Sequence, residues 1–444
     1  MLSILKSFND FLWNYPMILL LLGIHLYFSI KLKFIQKYII KAFQIMFHPI
    51  NKPSNTHVIS AFSTLSTTLA ATLGTGNIVG VSTAIALGGP GAIFWCWITG
   101  VLGMATSYAE CYLGIKYRKK IDNEYIGGPM YVLENGINNK FLAILFSICT
   151  VLASFGVGCT TQSNSISTAL YNTFHISPQI SGLIFALLVG FVIIGGFNSI
   201  SKICMKLVPS MAFFYTLGCI IILIINRSYI LDAFNLILAH AFSYKSCIAG
   251  LTGITISKCI RYGVSRGLYT NEAGLGSTPI TASLGTSHSP KDQSLISMTA
   301  AFLDTVVMCA ITGITIITTL LSNSNNNISL YFNQLHNHNY LSTDFIVVAF
   351  ETIPIIGNLF LTVSLVAFAF ATLIGWFSFG EKAFQYTFNR KHLNLYKITY
   401  IVMIYIGAVI SLDLVWEMCD LFNALMAIPN IISLIILRNE ISKY

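Results

Sequence analysis

The stretch TLGTGNIVGV, residues 72–81, interrupts a long apolar run with glycines and polar side chains. Gly74, Gly76 and Gly80 each weaken a helix, because glycine loses the most conformational freedom on folding. Thr75 and Asn77 lie between these glycines. Polar, glycine-interrupted backbone at membrane depth is tolerated only where it is buried in protein or lines a wet cavity. The stretch therefore predicts a broken helix beside an internal site.

Three interpretations of these glycines are possible. A dinucleotide-binding fingerprint needs a preceding strand and an acidic residue about 20 positions later, but the first carboxylate downstream is Glu110. Close packing of membrane helices through small residues is the simplest alternative. In transporters, an unwound segment exposes amides to an anionic group and carbonyls to a cation. Such a segment can hold a carboxylate without a buried arginine. For these glycines, the binding segment and close helix packing alone are the two interpretations that remain.

The composition is that of a polytopic membrane protein. Of the 444 residues, 55% are hydrophobic and 9% are charged, against about 25% charged in soluble domains. About eleven apolar runs approach or exceed the roughly 20 residues that cross a bilayer: 11–30, 56–88, 91–115, 141–170, 178–197, 207–226, 246–258, 294–321, 355–380, 396–412 and 414–437. The first run has no evident cleavage site, so we expect it to remain as a helix.

The positive charge is distributed asymmetrically about these spans. The formal net charge is +9, but alternate threading leaves only Lys6, Arg227 and Lys245 on one side and most other Lys and Arg on the opposite side. This asymmetry follows the positive-inside rule, which predicts an external amino terminus and a cytoplasmic carboxyl terminus. The Asn-rich segment 322–343, without Lys or Arg, then falls outside. The charge excludes a nucleic-acid partner as its explanation and is compatible with an anionic lipid surface.

The sequence contains no pattern of a metal site or a catalytic cluster. The ten cysteines include no C-x-x-C pair, and the nine histidines lack metal-ligand spacing. We therefore predict no enzyme activity, no catalytic residue, no cofactor and no obligatory protein partner. A channel needs a continuous polar pore, whereas the polar residues here form isolated patches.

Several long motifs resemble the alanine or glycine:cation symporter family. The resemblance runs in order from about residue 56 to 437 and includes GGPGAIFWCWITGVLGMATSYAECYLGIKYR (88–118), GGPMYVLENGI (127–137), RYGVSRGLYTNEAGLGSTPI (261–280), GWFSFGEKAF (375–384) and DLFNALMAIPN (420–430). The family implies an all-α LeuT-type fold, in which two inverted five-helix repeats surround a site near the membrane midplane. It also implies transport of a small amino acid with sodium or, less often, a proton.

That fold explains about eleven transmembrane helices as ten core helices and one extra amino-terminal helix. We predict an amino-terminal helix and basic connector (1–55), a first repeat (56–226), a second repeat (227–437) and a cytoplasmic tail (438–444). The threading agrees, since span 56–88 starts inside and 246–283 starts outside, as inverted repeats require. A second broken helix is then expected near 250–267, where the glycines are Gly250, Gly253, Gly263 and Gly267.

The resemblance also implies a substrate site. The substrate carboxylate is assigned to the unwound segment Gly74, Thr75, Gly76 and Asn77, and the amino group to Gln162. Trp376 is expected to close the pocket, with Gly375 leaving room for its indole. Without the resemblance, Gln162 is equally well explained by an interhelical hydrogen bond, and Trp376 by packing or an interface anchor.

A cation site is implied where the broken helix meets the helix containing FAFATLIGW (368–376). Ala369 and Thr372 are three residues apart and share a helical face, and their expected partners are Thr72, Leu73 and Gly76. Oxygen ligands suit sodium, a hard cation. Some relatives of this fold have a second hydroxyl where this chain has Leu373, which leaves the ligand set open.

Four ionisable residues need reasons, because charge at membrane depth costs about 2.5–3.5 kcal/mol on insertion scales. Asp304 and Asp420 are candidates for relaying protons or tuning the cation site, or are hydrogen-bonded structural carboxylates. Glu272 is expected near the cytoplasmic end of the second broken helix, either at an inner gate with Arg266 or as a helix cap.

Together these features predict a multi-pass inner-membrane transporter that imports alanine, glycine or both with sodium by alternating access. A proton-coupled transporter and a non-transporting membrane sensor of the same fold remain as alternatives.

Overall fold

The helix that contains TLGTGNIVGV breaks within that stretch. A computed structural model describes residues 2–14, 16–47, 59–121, 124–242, 256–285, 289–323, 344–388, 391–410 and 413–444. In it, one helix ends at Thr72 and another begins at Val79, with a single 3₁₀ turn over Thr75–Asn77 between them. The two halves are bent by 61° relative to each other. The predicted break is confirmed.

The described chain is almost entirely helical. Its first part contains α1 (Leu2–Asn14), α2 (Pro16–Lys31), α3 (Ile39–Phe47), α4 (Ala61–Thr72), α5 (Val79–Gly88), α6 (Ala92–Lys116), α7 (Pro129–Asn135), α8 (Lys140–Phe155), α9 (Thr161–Phe174), α10 (Pro178–Ile194), α11 (Gly196–Ile225) and α12 (Ile230–Phe242). The second part contains α13 (Ile256–Asn271), α14 (Thr278–Ala282), α15 (Pro290–Ser297), α16 (Thr299–Ala301), α17 (Ala310–Asn323), α18 (Phe345–Glu351), α19 (Gly357–Phe388), α20 (Leu393–Val409) and α21 (Asp413–Ile436).

Short elements join or interrupt these helices. They are 3₁₀ turns at Ile35–Tyr38 and Arg227–Tyr229, π-helical segments at Gly156–Thr160 and Phe302–Cys309, and a two-stranded antiparallel hairpin of β1 (Lys119–Ile121) and β2 (Glu124–Ile126). In the hairpin, Lys119 pairs with Ile126 and Ile121 pairs with Glu124. The π-helical segments connect α8 to α9 and α16 to α17, so that Lys140–Phe174 and Pro290–Asn323 are two long continuous spans.

The helices form a multi-pass membrane protein. Within the described residues, seven continuous helical stretches are long and apolar enough to span a bilayer, and the bent α4–α5 pair counts as an eighth if it forms one span. Two shorter apolar helices, α10 and α20, pack against each other. The total of eleven spans and the two-repeat division stay predictions, since residues 243–255 and most of the loop 322–343 lie outside the described part.

A second helix break lies between α13 and α14, at residues 272–277. The backbone has positive φ angles there at Glu272 (53°), Gly274 (86°) and Gly276 (84°). The two glycines adopt such angles without strain. The expected break near 250–267 is wrong for residues 256–267, which are helical; Gly250 and Gly253 fall outside the described residues. Gly263 and Gly267 serve close packing instead, because a Cβ on either would collide with α6.

A buried carboxylate fixes this second break. Glu110 of α6 is only 2% exposed. It accepts hydrogen bonds from the Gly274 amide (3.2 Å), the Thr278 hydroxyl (2.9 Å) and the Asn430 side-chain amide (3.0 Å). Asn430 also donates to the Gly274 carbonyl at 2.9 Å. Helices α6 and α21 therefore position the loop between α13 and α14.

The extra amino-terminal helices lie against the same core. On α2, the buried His25 Nδ1 lies 2.8 Å from the Thr106 hydroxyl of α6. On α1, the Asn9 side chain donates to the Glu417 carboxylate at 2.8 Å, and the Trp13 indole donates to the Asp420 carbonyl at 3.1 Å. These contacts attach α1 to the beginning of α21 and α2 to α6.

The carboxyl-terminal tail, residues 437–444, is held against three helices. Its polar contacts are Glu440 with Lys116 (2.8 Å) and Tyr117 (2.5 Å), Ser442 with Tyr108 (3.1 Å) and Tyr112 (3.0 Å), and Tyr444 with Asp292 (3.1 Å) and the ammonium of Lys41 over its ring (4.7 Å). The hydrogen bonds from Lys116 and Tyr117 lower the pKa of the Glu440 carboxyl. The tail thus contacts α3, α6 and α15 together.

Candidate functional site

The unwound segment between α4 and α5 leaves two backbone amides without partners. The Gly74 amide is bonded to the Thr72 carbonyl (2.8 Å) and the Asn77 side-chain oxygen (3.1 Å). Among the hydrogen bonds of the described residues, none uses the amides of Thr75 or Gly76. Free amides at the start of a helix carry partial positive charge and attract anions. The sequence predicts that a substrate carboxylate binds at this segment, and that assignment stays a prediction.

A narrow crevice lies beside this segment. It is lined by Ala71, Thr72, Gly74, Gly76, Val157, Gln162, Tyr269, Thr270, Glu272, Thr372 and Trp376. Its volume is about 10 Å³, the space of roughly one water molecule. The lining combines α4, the α8–α9 bend, α13 and α19, and it includes the substrate residues predicted at Gly74, Gly76, Gln162 and Trp376.

Gln162 is positioned by the π-helical segment that precedes α9. Its side-chain nitrogen donates to the Val157 carbonyl at 3.2 Å, five residues back, and that carbonyl also accepts the Thr161 hydroxyl at 2.8 Å. Its oxygen accepts the Thr75 hydroxyl at 3.2 Å. Gln162 and Thr75 are thus in direct contact at the break, and the interhelical hydrogen bond expected as the alternative role of Gln162 is also present.

Trp376 is buried, and its indole nitrogen donates to the Glu272 carboxylate at 3.0 Å. The other carboxylate oxygen accepts the Ser277 hydroxyl. Gly158 leaves the room for Trp376, because a Cβ there would lie 2.6 Å from the indole Cγ. Gly375 has a different role from the predicted one: a Cβ there would meet the Ala71 amide nitrogen at 2.5 Å. Gly375 therefore lets α19 approach the backbone of α4.

This close approach creates a cluster of oxygen atoms. The Thr372 hydroxyl lies 3.1 Å from the Ala70 carbonyl and 3.4 Å from the Leu73 carbonyl. The Thr72 hydroxyl is buried without a hydrogen-bond partner. Carbonyls and hydroxyls are the ligands of a hard cation. The structure brings Thr372 and the Leu73 carbonyl together, and Ala70 is an additional oxygen donor. Thr72 lines the same crevice as Thr372, and its part in a cation site stays a prediction.

The other two predicted cation residues stay predictions. Ala369 is buried one helical turn before Thr372, on the same face of α19. A Cβ on Gly76 would meet Thr270 at 3.0 Å and Tyr269 at 3.3 Å. The Cα of Gly76 therefore lies against α13.

Asn77 points away from the crevice to the second π-helical segment. Its amide donates to the Asp304 carboxylate at 2.6 Å and to the Asp304 carbonyl at 3.1 Å. The other carboxylate oxygen accepts the Thr305 hydroxyl at 2.7 Å. Asp304 is fully buried, with no Lys or Arg paired to it in the described chain. Asp304 thus fixes the unwound segment, which is the structural role expected as its alternative.

A larger cavity of about 230 Å³ adjoins the crevice. Its lining includes Thr75, Arg266 and Tyr269, and Tyr269 also lines the crevice. The predicted pair of Arg266 with Glu272 is absent from the ion pairs of the described residues. Six positions separate them, whereas helix neighbours are three or four apart. Arg266 lies within electrostatic range of Asp420 instead.

A sequence profile of the sodium:alanine symporter family matches residues 1–444, the whole chain. The chain belongs to this family. Members of the family are transporters and not enzymes.

Relatives of this symporter family match over nearly the full length. An uncharacterised transporter of Haemophilus influenzae is 41% identical, covering 99% of this chain and 94% of its own length. The sodium/alanine symporter AgcS of Methanococcus maripaludis is 40% identical, covering 99% and 95%. The amino-acid carrier protein AlsT of Bacillus subtilis is 31% identical, covering 98% and 90%.

Solved structures show the fold of this family member. MhsT in complex with L-phenylalanine matches with a TM-score of 0.58 at 15% identity, covering 85% of this chain and 89% of that one. A Na⁺-coupled sialic acid symporter matches with a TM-score of 0.53 at 13% identity, covering 95% and 82%. The fold is therefore LeuT-type, as predicted. The protein is a cation-coupled amino-acid transporter of the membrane.

Several residues at this break were not predicted from the sequence, among them Tyr269, Thr270, Gly158 and Ala70. Tyr269 and Thr270 lie in the motif RYGVSRGLYTNEAGLG, in the last turn of α13, so the motif contained the signal. Gly158 follows Val157 in a segment with no predicted break. Ala70 contributes only a main-chain carbonyl, which residue type does not reveal.

Proposed function

We propose that the protein imports a small neutral amino acid, alanine or glycine, together with sodium by alternating access. The observation that supports this proposal most strongly is that two different sets of polar groups lie at one helix break. One set is the free amides of Thr75 and Gly76, and the other is the Thr372 hydroxyl with the Ala70 and Leu73 carbonyls. An amino-acid carboxylate and a cation bound there would share one flexible segment of backbone. Because both ligands would order the same segment, binding of the cation would favour binding of the amino acid, and the reverse.

The substrate would bind as a zwitterion. Its carboxylate would accept hydrogen bonds from the Thr75 and Gly76 amides, and its ammonium group would meet the Gln162 oxygen. Trp376 would cover the side chain, held by Glu272. The contracted crevice supports a small substrate, although one extra methylene changes binding to an apolar pocket by only about 1–3 kcal/mol. We therefore expect both alanine and glycine as substrates.

Sodium would bind between α4 and α19. The cluster of Thr372, Ala70 and Leu73 contains only hydroxyl and carbonyl oxygens, which suit sodium better than a softer ion. A membrane potential of 100 mV supplies about 2.3 kcal/mol per charge, and a tenfold sodium gradient supplies about 1.4 kcal/mol. One sodium per cycle would thus support a substrate gradient of several hundredfold.

We also propose the sidedness and cellular location. The basic segments after α2, α6 and α19 support an inner-membrane protein with its amino terminus outside and its carboxyl terminus in the cytoplasm. In that orientation α5 ends and α13 begins at the outer face, so the 230 Å³ cavity leads from the outside to the crevice.

Two alternatives are distinguished by one experiment. Purified protein in proteoliposomes is given labelled alanine under an inward sodium gradient, under an inward proton gradient without sodium, or with neither. We expect uptake driven by sodium alone. Uptake driven only by protons would establish the proton-coupled alternative. Alanine binding without uptake under any gradient would indicate a membrane sensor and refute transport.

A matched pair of variants tests the sodium site. Thr372→Val removes one hydroxyl and keeps the side-chain shape, so we expect the half-saturating sodium concentration to rise about tenfold, equivalent to roughly 1.4 kcal/mol. Thr362→Val removes a hydroxyl of the same helix that is bonded to Thr173 at 2.7 Å, away from the break. Equal sodium dependence in both variants would exclude Thr372 from the site.

A further inference from the structure

A groove separates the extra helix α2 from the last helix, α21. It has a volume of about 440 Å³ and is lined by Ile24, Tyr27, Ile435 and Arg438. Tyr27 is 39% exposed and Ile435 is 38% exposed. Other apolar side chains of α2 and α21 are exposed on the same helices, including Leu26, Ile30 and Ile436. In a membrane protein such exposed apolar surface faces lipid, so the groove is open to the bilayer.

Two cationic side chains stand at one end of this groove. Arg438 lies two residues after the end of α21, and its guanidinium donates to the Ile435 carbonyl at 3.1 Å. Lys31 ends α2, and its ammonium lies 3.0 Å from the Asn439 oxygen and 3.5 Å from the Tyr27 hydroxyl. Both helix ends thus place a positive charge at the same boundary of the membrane.

Neither charge is balanced by the protein. Among the ion pairs of the described chain, none includes Lys31 or Arg438. The nearest acid along the sequence, Glu440, is paired with Lys116 at 2.8 Å and accepts the Tyr117 hydroxyl. An apolar groove that ends at two uncompensated cations matches a molecule with an acyl chain and an anionic head.

We propose that this groove binds one anionic phospholipid. Its acyl chain would lie along Ile24, Tyr27 and Ile435, and its phosphate would accept hydrogen bonds from Arg438 and Lys31. A zwitterionic phospholipid fits the groove less well, because its positive headgroup lies close to the same two cations. Basic pockets between membrane helices on the cytoplasmic side bind anionic headgroups by this chemistry.

The lipid would join the extra helix to the transporter core. Ile24 and Tyr27 of α2 face Ile435 and Arg438 across this groove, and Lys31 donates a hydrogen bond to Asn439, three residues after α21, at 3.0 Å. A lipid that contacts both walls adds apolar contact where the protein has a gap. A ligand that binds the folded protein and not the unfolded chain raises the stability by an amount that grows with the logarithm of its concentration relative to its Kd.

The test uses the full-length protein in nanodiscs of phosphatidylcholine, with or without phosphatidylglycerol. The unfolding temperature and the number of phosphatidylglycerol molecules retained in native mass spectra are measured. The groove variant is Lys31→Gln with Arg438→Gln. The control is Lys33→Gln with Lys443→Gln, which removes the same charge from exposed residues of the same face.

We expect phosphatidylglycerol to raise the unfolding temperature of the native protein and the control by several degrees. The groove variant should lose most of this increase and retain one phosphatidylglycerol fewer, with affinity reduced about thirtyfold for two lost cations. Equal increases in both variants, equal losses in both, or no increase in the native protein would overturn the proposal.

Two further measurements separate the lipid from other ligands and from misfolding. Ile435→Trp keeps both charges and fills the groove, so it should also abolish the phosphatidylglycerol effect; full retention would contradict an acyl chain there. Soluble glycerol 3-phosphate should not raise the unfolding temperature. A shift equal to that of the lipid would show recognition of a free anion and refute a lipid site.

Discussion

Replacing Gly375 with alanine should separate the two helices that form the cation site. A Cβ at this position would lie 2.5 Å from the Ala71 amide nitrogen, 2.8 Å from its Cα and 2.9 Å from the Ala70 carbonyl carbon. Favourable contacts between such atoms need about 3.5–4.0 Å. All three obstacles are backbone atoms, so relief requires α19 to move from α4 by about 1 Å.

That movement would weaken sodium binding and stability together. Overpacking of this kind costs about 1–3 kcal/mol. It would also lengthen the distances from the Thr372 hydroxyl to the Ala70 and Leu73 carbonyls, now 3.1 and 3.4 Å, beyond effective coordination. We expect Gly375→Ala to raise the half-saturating sodium concentration for alanine uptake more than tenfold and to lower the unfolding temperature.

A second glycine provides the control. In Gly190→Ala the new Cβ would meet only the flexible end of Ile401, at 3.3 Å, so sodium dependence should remain normal. Sodium titrations of alanine uptake in proteoliposomes, with thermal unfolding in the same lipid, measure both effects. If Gly375→Ala matched the native protein in sodium dependence and stability, the close approach of α19 to α4 would not be required for the cation site.

Further predictions concern the hydrogen bonds of the site. Trp376→Phe removes the 3.0 Å hydrogen bond to Glu272. Because a hydrogen bond to a charged group contributes about 1.5–3 kcal/mol, the affinity for alanine measured by calorimetry should fall at least tenfold. An unchanged affinity would exclude this hydrogen bond from substrate binding. Asn77→Ala removes the donor to Asp304 and leaves a buried acceptor unpaired, so the free energy of unfolding should fall by about 1–3 kcal/mol. Asp304→Asn alone should lower the free energy of unfolding by less. Equal losses in the two variants would argue against this pairing. Glu110→Gln presents a donor to the donors of the second break, and uptake should fall without loss of protein in the membrane, whereas normal uptake would show that this carboxylate does not position the loop.

The first break could be predicted from sequence because its signal is local. Gly74 and Gly76 weaken the helix, and Thr75 and Asn77 supply polar groups that need partners within the membrane. The same logic placed the second break too early. Gly263 and Gly267 are glycines because α6 passes too close for a Cβ, and glycine content alone does not distinguish close packing from chain reversal.

Partners across the bundle were harder to predict. The Thr372 side chain was identifiable from its position, but the Ala70 carbonyl belongs to the main chain and exists at every residue. Gly375 and Gly158 show the same limit: which glycine faces the indole depends on how α19 is rotated against α4 and α9. The fold, in contrast, followed from long apolar runs and several motifs and needed no side-chain contact to be right.

The tail contacts have a consequence for how the protein can be handled. Tyr444 contacts α3 and α15, and Ser442 and Glu440 contact α6, so a purification tag or fluorescent partner fused after Tyr444 would add bulk where three helices meet. If that end of the bundle must part during the cycle, such a fusion would bias the conformations that the bundle visits. Labels are better attached at Lys140, an exposed residue outside this junction, and transport measured on tail-tagged protein needs an untagged counterpart.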